Sequence, residues 1–212
     1  MINVPILIVA PTGSGKSTSL RNLPPEKTVI LNTERRPLPF RGFTKFKNIN
    51  ISRYKDFMKV LKELKTSDKY EYVVIDSMTS LLEIMDKYAR TVYTGYSIYS
   101  EYNAMVYDML QEIKELPQQV ITTGIPEYLE GDVPKAYLKT TGKVWKYALE
   151  KEFSIVLHMR MVEDDEGNIV EYQFDTKPSN KTSAKTPDGM IEERYIENDI
   201  VKVTDAIKAY YE

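Results

Sequence analysis

Apolar residues cluster into short, nearly unbroken runs at residues 4–9, 28–31 and 70–76 (YEYVVID). Runs of this length between turn residues predict strands covered on both faces of a sheet. Residues 119–123 read as a further strand and 48–51 as a short edge strand. Elsewhere the period changes. Phe57, Val60, Leu61 and Leu64 recur at helical spacing across residues 56–64, and helices are predicted over 79–90 and 100–116, joined by a loop at 91–99. A helix begins over residues 16–22 and is stopped by Pro24 and Pro25. Residues 35–41 (RRPLPFR) are too proline-rich to be regular. Further on, 124–142 reads as a long polar loop, 144–151 as a helix, and 153–161 with 169–175 as a hairpin. Residues 177–189 are a Lys/Ser/Thr/Pro stretch, and 198–211 an amphipathic helix. Strands alternating with helices predict an α/β fold, a mainly parallel sheet flanked by helices, with a C-terminal β-hairpin extending one edge. The 212 residues suit one domain spanning 1–212.

Composition narrows the function classes. Apolar residues at 42% supply a sizeable core, and the absence of cysteine excludes disulfides, thiolate metal sites and a cysteine nucleophile. A net charge of −2 argues against a uniformly basic nucleic-acid binder, though a local basic groove is compatible with it. Sixteen tyrosines exceed what a core needs, so some are expected on the surface, against bases or partners. No apolar run reaches the roughly 20 residues that span a bilayer, and no export signal is read at the N-terminus, so a cytoplasmic location and no membrane partner are expected.

The first strand leads into Ala-Pro-Thr-Gly-Ser-Gly-Lys-Ser at residues 10–17. This is the phosphate-loop pattern G-x-x-x-x-G-K-[ST] with Ala10 in the first glycine's place. Gly13 and Gly15 permit the tight turn that aims successive N–H groups at phosphate oxygens. The nucleotide-binding set is therefore Pro11, Thr12, Gly13, Ser14, Gly15, Lys16, Ser17 and Thr18. Lys16 reaches the β and γ phosphates of ATP, and the Ser17 hydroxyl ligates Mg²⁺. A plain strand-to-helix turn is the bland alternative. Asp76 ends a buried strand, where a metal-associated carboxylate belongs, although strand ends also use Asp as a helix cap. Glu34 follows the 28–31 strand and can polarise a water against the γ phosphate; otherwise it is a solvated acid beside Arg35 and Arg36. Thr123, at the end of the 119–123 strand, can sense the γ phosphate or simply favour a strand. His158 and Trp145 read as structural, and Asp164, Asp165 and Glu166 as solvated turn acids.

With Lys16, Glu34 and Asp76 in this order, the chain resembles the RecA-type P-loop ATPases, and more closely their shortened phage relatives associated with single-strand annealing. The segments that carry the likeness are APTGSGKST, VILNTE, YVVIDSMTSL, VITTG and TGKVWKYALEKEFSIVLHM, with AKTPDGMIEERYIENDIVKVTDAIKAYY at the end. The resemblance implies Glu34 as catalytic base, Asp76 as metal carboxylate and Thr123 at a phosphate-sensing position. It implies DNA-facing loops at 91–99 and 124–142, carrying Tyr93, Tyr96, Lys135 and Lys139; rings stack on bases and cations track phosphates. The same tyrosines could be one packed helix face. It further implies lysines acting in trans on a neighbour's site, here Lys177 and Lys181, with Lys185 a further candidate; the alternative is a solvated loop. A homo-oligomer, ring or filament, is expected, with single-stranded DNA and a single-strand-binding protein as partners. The short N-terminus and the lack of a DNA-gathering domain favour annealing over strand exchange. Two rival readings remain: a nucleotide switch acting on a replication or packaging protein without DNA contact, and a small-molecule kinase, for which no arginine-rich lid is present.

Overall fold

The computed structural model describes residues 2–211. Five parallel strands form the centre: β1 (Ile6–Val9), β2 (Thr28–Asn32), β4 (Tyr72–Asp76), β5 (Gln119–Gly124) and, beyond β1, β8 (Ile155–Glu163). β3 (Lys47–Asn50) adds a parallel edge to β2. β9 (Ile169–Asp175) and β10 (Tyr195–Glu197) extend the other side antiparallel. The order is β10-β9-β8-β1-β5-β4-β2-β3. Mainly parallel strands, flanking helices and a C-terminal hairpin are the architecture the apolar pattern predicts.

Because successive side chains point to opposite faces, each central strand feeds two cores. Leu7, Val9, Leu31, Val73, Ile75 and Val120 pack under the helices α1 (Tyr54–Lys65), α2 (Met78–Val92) and α3 (Ser97–Lys114). Ile6, Ile8, Ile30, Val74, Ile121 and Leu157 face Leu20 and Leu23 and the closing helix α4 (Ile200–Tyr211). This double coverage is why the strands read as continuous apolar runs. None of the described helices is long and apolar enough to cross a membrane.

Four local expectations are corrected. The helix expected over 16–22 is a single 3₁₀ turn, Ser17–Leu20; the prolines follow closely, and Arg21 and Asn22 are drawn into side-chain bonds with the Asn198 carbonyl and Asp199. The loop expected over 91–99 shrinks to residues 93–96, because Ile98, Tyr102 and Met105 form a core stripe that pulls the start of α3 back to Ser97. The polar loop over 124–142 holds a second sheet, β6 (Pro126–Leu129) paired antiparallel with β7 (Lys135–Leu138). The helix expected over 144–151 is a run of turns ending in a 3₁₀ turn, Leu149–Glu152. Trp145, Leu149 and Phe153 are buried at helical spacing, which imitates a helix, but Tyr147 sits at φ 59°, outside helical space.

Candidate functional site

The phosphate loop leaves β1 at the carboxyl end of the sheet, where β5 and β8 flank it on opposite sides. The Ala10 N–H donates to the Gly124 carbonyl at 3.0 Å, so the strand pairing continues one residue into the loop. The Ser14 hydroxyl closes the turn onto the Pro11 carbonyl at 2.7 Å. Gly13 and Gly15 lie at φ 82° and 83°, the left-handed region that glycine enters without cost. At Gly15 a second constraint acts: a Cβ there would meet Asn198 Nδ2 at 2.7 Å. Lys16 is only 8% exposed, and its ammonium donates to no protein acceptor among the described residues. An unpartnered cation so placed is suited to an anionic ligand.

Asp76 ends β4 with 3% exposure. Its Oδ2 accepts from the Ser17 hydroxyl at 3.1 Å, and its Oδ1 accepts a short bond from the Thr123 hydroxyl. The phosphate loop and the ends of β4 and β5 thus meet on one carboxylate. Burial pushes the Asp76 carboxyl above its ordinary range; the Glu34 charge adds to this, while the Thr123 bond, the Lys16 charge and the Ser17 bond oppose it. Such a desolvated carboxylate beside a hydroxyl offers the hard oxygen donors that Mg²⁺ takes. Among the described residues, no three or more His, Asp or Glu side chains are grouped so as to hold a metal ion.

Glu34 approaches from the end of β2. Its N–H donates to the Asp76 carbonyl at 3.3 Å, and Thr33 Oγ1 both accepts from the Ser77 N–H at 2.7 Å and donates to the Ser77 carbonyl at 2.8 Å. The Glu34 carboxylate accepts from the Ser77 hydroxyl at 3.1 Å and forms a short ion pair with Arg36. Ser77 also caps α2, its hydroxyl accepting from the Ser80 N–H.

Arg36, beside which the sequence places Glu34 only as a solvated acid, engages that carboxylate from two residues away. Ser77, Asn198 and Tyr172 escape sequence reading; the Ser77 hydroxyl links Glu34 to the Asp76 segment. Asn198 reaches back 183 residues to donate to the Gly15 carbonyl at 3.1 Å, with Tyr172 packed against the same glycine. No local pattern marks such a long-range contact. Removing it should loosen the loop: Asn198→Ala is expected to lower nucleotide affinity about fivefold, equivalent to about 1 kcal/mol for one net hydrogen bond. Asn198→Asp should do worse, because a carboxylate opposes the Gly15 carbonyl. A nucleotide titration of the three proteins checks this.

The remaining candidates lie apart from this centre. Tyr96 is 85% exposed between α2 and α3, whereas Tyr93 packs against the core. Lys135 lies 5.5 Å from the Tyr137 ring on β7, and Lys139 is exposed just after it. The hairpin is tied to the centre: Thr79 Oγ1 accepts from the Ile125 N–H at 3.2 Å, two residues beyond Thr123. Lys181 is exposed, and Lys177 donates to the Ile191 carbonyl at 2.6 Å, a bond it would have to leave in order to reach a neighbour. Lys185 pairs by backbone with Val156. His158 is buried against the Ser183 hydroxyl at 2.9 Å, and burial pushes its pKa down to about 4, so it stays neutral over most of the working range.

A family model described as an AAA domain matches residues 2–187. Among solved structures, one titled "Crystal structure of the RadB recombinase" matches with a TM-score of 0.46 and 16% identity, covering 82% of this chain and 87% of that chain. No curated protein matches the sequence.

Proposed function

The chain belongs to the AAA domain family, and from that premise we propose that it binds ATP with Mg²⁺, hydrolyses it, and uses the change at the terminal phosphate to alter its grip on single-stranded DNA. The observation that carries the reading is the meeting of Ser17, Thr123 and Glu34 around Asp76. In this reading the N–H groups of residues 13–18 hold the phosphates, and Lys16 neutralises the β and γ oxygens. Ser17 and Asp76 hold Mg²⁺, which when bound offsets charge on the phosphate oxygens. Glu34, once clear of Arg36, orients and deprotonates the attacking water. Thr123 exchanges its bond to Asp76 for one to the γ phosphate, and β6–β7 responds through Gly124 and the Thr79 contact.

DNA contact would come from Tyr96, Lys135 and Lys139, with Tyr93 buttressing the turn from beneath. The role we propose is phage recombination by annealing, in a homo-oligomer aided by a single-strand-binding protein, with Lys181 and a released Lys177 acting across the subunit boundary. Glu127, Glu130 and Asp132 on the hairpin favour a second reading, a nucleotide switch for a replication or packaging protein. Retention on single-stranded DNA across a salt series, with and without ATP, separates the two. The first reading expects ATP-dependent retention, a shallower salt slope in Lys135→Ala/Lys139→Ala, and a loss of about 1–3 kcal/mol for Tyr96→Ala. No retention on single-stranded DNA at any salt concentration, with or without ATP, would favour the switch.

A further inference from the structure

Beside Glu34 opens a cleft of about 900 Å³, walled by residues 33–36, the first turn of α1 and one face of α2. Its charge is unbalanced. Arg36 is paired with Glu34 and Arg53 with Asp56. Arg35, Lys55 and Lys87 have no carboxylate within ion-pair distance among the described residues, and Glu83 is the one lining acid left unpaired. The surplus of two positive charges calls for an acidic occupant.

The same chain carries one. β8 pairs with β1 only over Ile155–His158, then runs on to Glu163 paired with β9 alone. β10 covers β9 only at Gln173, Phe174 and Asp175, so beyond them residues 161–163 and 169–172 form a two-stranded ribbon that projects past the carboxyl end of the sheet. At its tip, Asp164 is consumed by the turn, accepting from the N–H groups of Glu166 and Asn168. Glu163, Asp165 and Glu166 have no cation partner among the described residues. Just behind them Met161, Ile169 and Val170 are 40%, 45% and 61% exposed. Isolated two-stranded ribbons are marginal in water, and exposed apolar side chains behind an uncompensated acidic tip suit a contact surface.

The ribbon cannot serve its own cleft. Between β8 and β2 lie β1, β5 and β4, four strand spacings, or roughly 19 Å sideways, whereas the ribbon extends along the strand direction. We propose that the cleft beside Glu34 receives the acidic ribbon tip of a second copy of this chain. The two surfaces differ and lie toward opposite sides of the sheet, so the contact is head-to-tail and propagates into a ring or a filament. It also acts on the centre: the incoming carboxylates compete for Arg36, and Glu34 is released. This last consequence rests on the role proposed for Glu34; the docking itself does not.

The chain contains no cysteine, so introduced thiols report unambiguously. Asp165→Cys and Lys87→Cys chains, mixed and treated with a short bismaleimide, should give a cross-linked dimer; Asp165→Cys mixed with Glu26→Cys, at the opposite end of the sheet, should not. A yield no greater than that control overturns the proposal. In sedimentation velocity, Asp165→Lys/Glu166→Lys and Lys55→Glu/Lys87→Glu should each lose self-association, and the chain carrying all four changes should regain it. Unchanged association in either pair, or no recovery in the combination, also overturns it. Nucleotide binding measured on the same samples keeps the two ideas apart: binding without the cross-link removes the docking alone, and the cross-link without binding removes the ATPase reading alone.

Discussion

Glu34→Gln is expected to bind Mg·ATP about as tightly as the unchanged chain and to cleave it some 10²–10⁴ times more slowly, the usual worth of a general base. The carboxamide keeps an oxygen to accept from the Ser77 hydroxyl, which now lies 3.1 Å from the carboxylate, so the end of β2 should stay laced to the end of β4. What is lost is the capacity to take a proton and the charge that pairs with Arg36. Single-turnover hydrolysis, measured beside nucleotide affinity, separates the two effects. An unaltered rate would remove Glu34 from the chemistry. A slower rate accompanied by equally weak binding would mark it as a support for the loop.

Lys16→Ala is expected to cost nucleotide binding about 3 kcal/mol or more, over a hundredfold, because charge-assisted bonds to two phosphates vanish together. The folded chain should tolerate it. The ammonium makes no protein hydrogen bond among the described residues, so its removal leaves no partner stranded, and the melting temperature without nucleotide should change little. The diagnostic is a thermal scan with and without Mg·ATP: the unchanged chain gains stability from the ligand by mass action, and Lys16→Ala does not.

Parts of this arrangement are legible in the chain and parts are not, for physical reasons. Val73, Val74 and Ile75 are buried on both faces of the sheet, so the strand and the acid that ends it stand out from sequence alone. Gly13 and Gly15 stand out because only glycine takes their backbone conformation freely. What stays hidden depends on contacts between distant segments. The β6–β7 hairpin is short, half exposed and interrupted by a polar turn, and its pairing is fixed by Leu138 under Gly124 and by the Glu150 carboxylate accepting from the Leu138 N–H at 2.5 Å. β10 has three residues, too few for a period to register. Tyr147 breaks a helix that the spacing of Trp145, Leu149 and Phe153 otherwise announces. Asn198 looks like an ordinary residue ahead of a helix until the fold carries it to Gly15.

The proposed function requires Ser17 and Asp76 to grip a metal-bound triphosphate within reach of Glu34. Isothermal titration of ATP into the unchanged chain and into Asp76→Asn, each with and without Mg²⁺, tests this most directly. One site per chain is expected, with an affinity that strengthens when Mg²⁺ is present in the unchanged chain and that is nearly indifferent to Mg²⁺ in Asp76→Asn. No binding heat in the unchanged chain, or the same Mg²⁺ dependence in both proteins, would contradict the account.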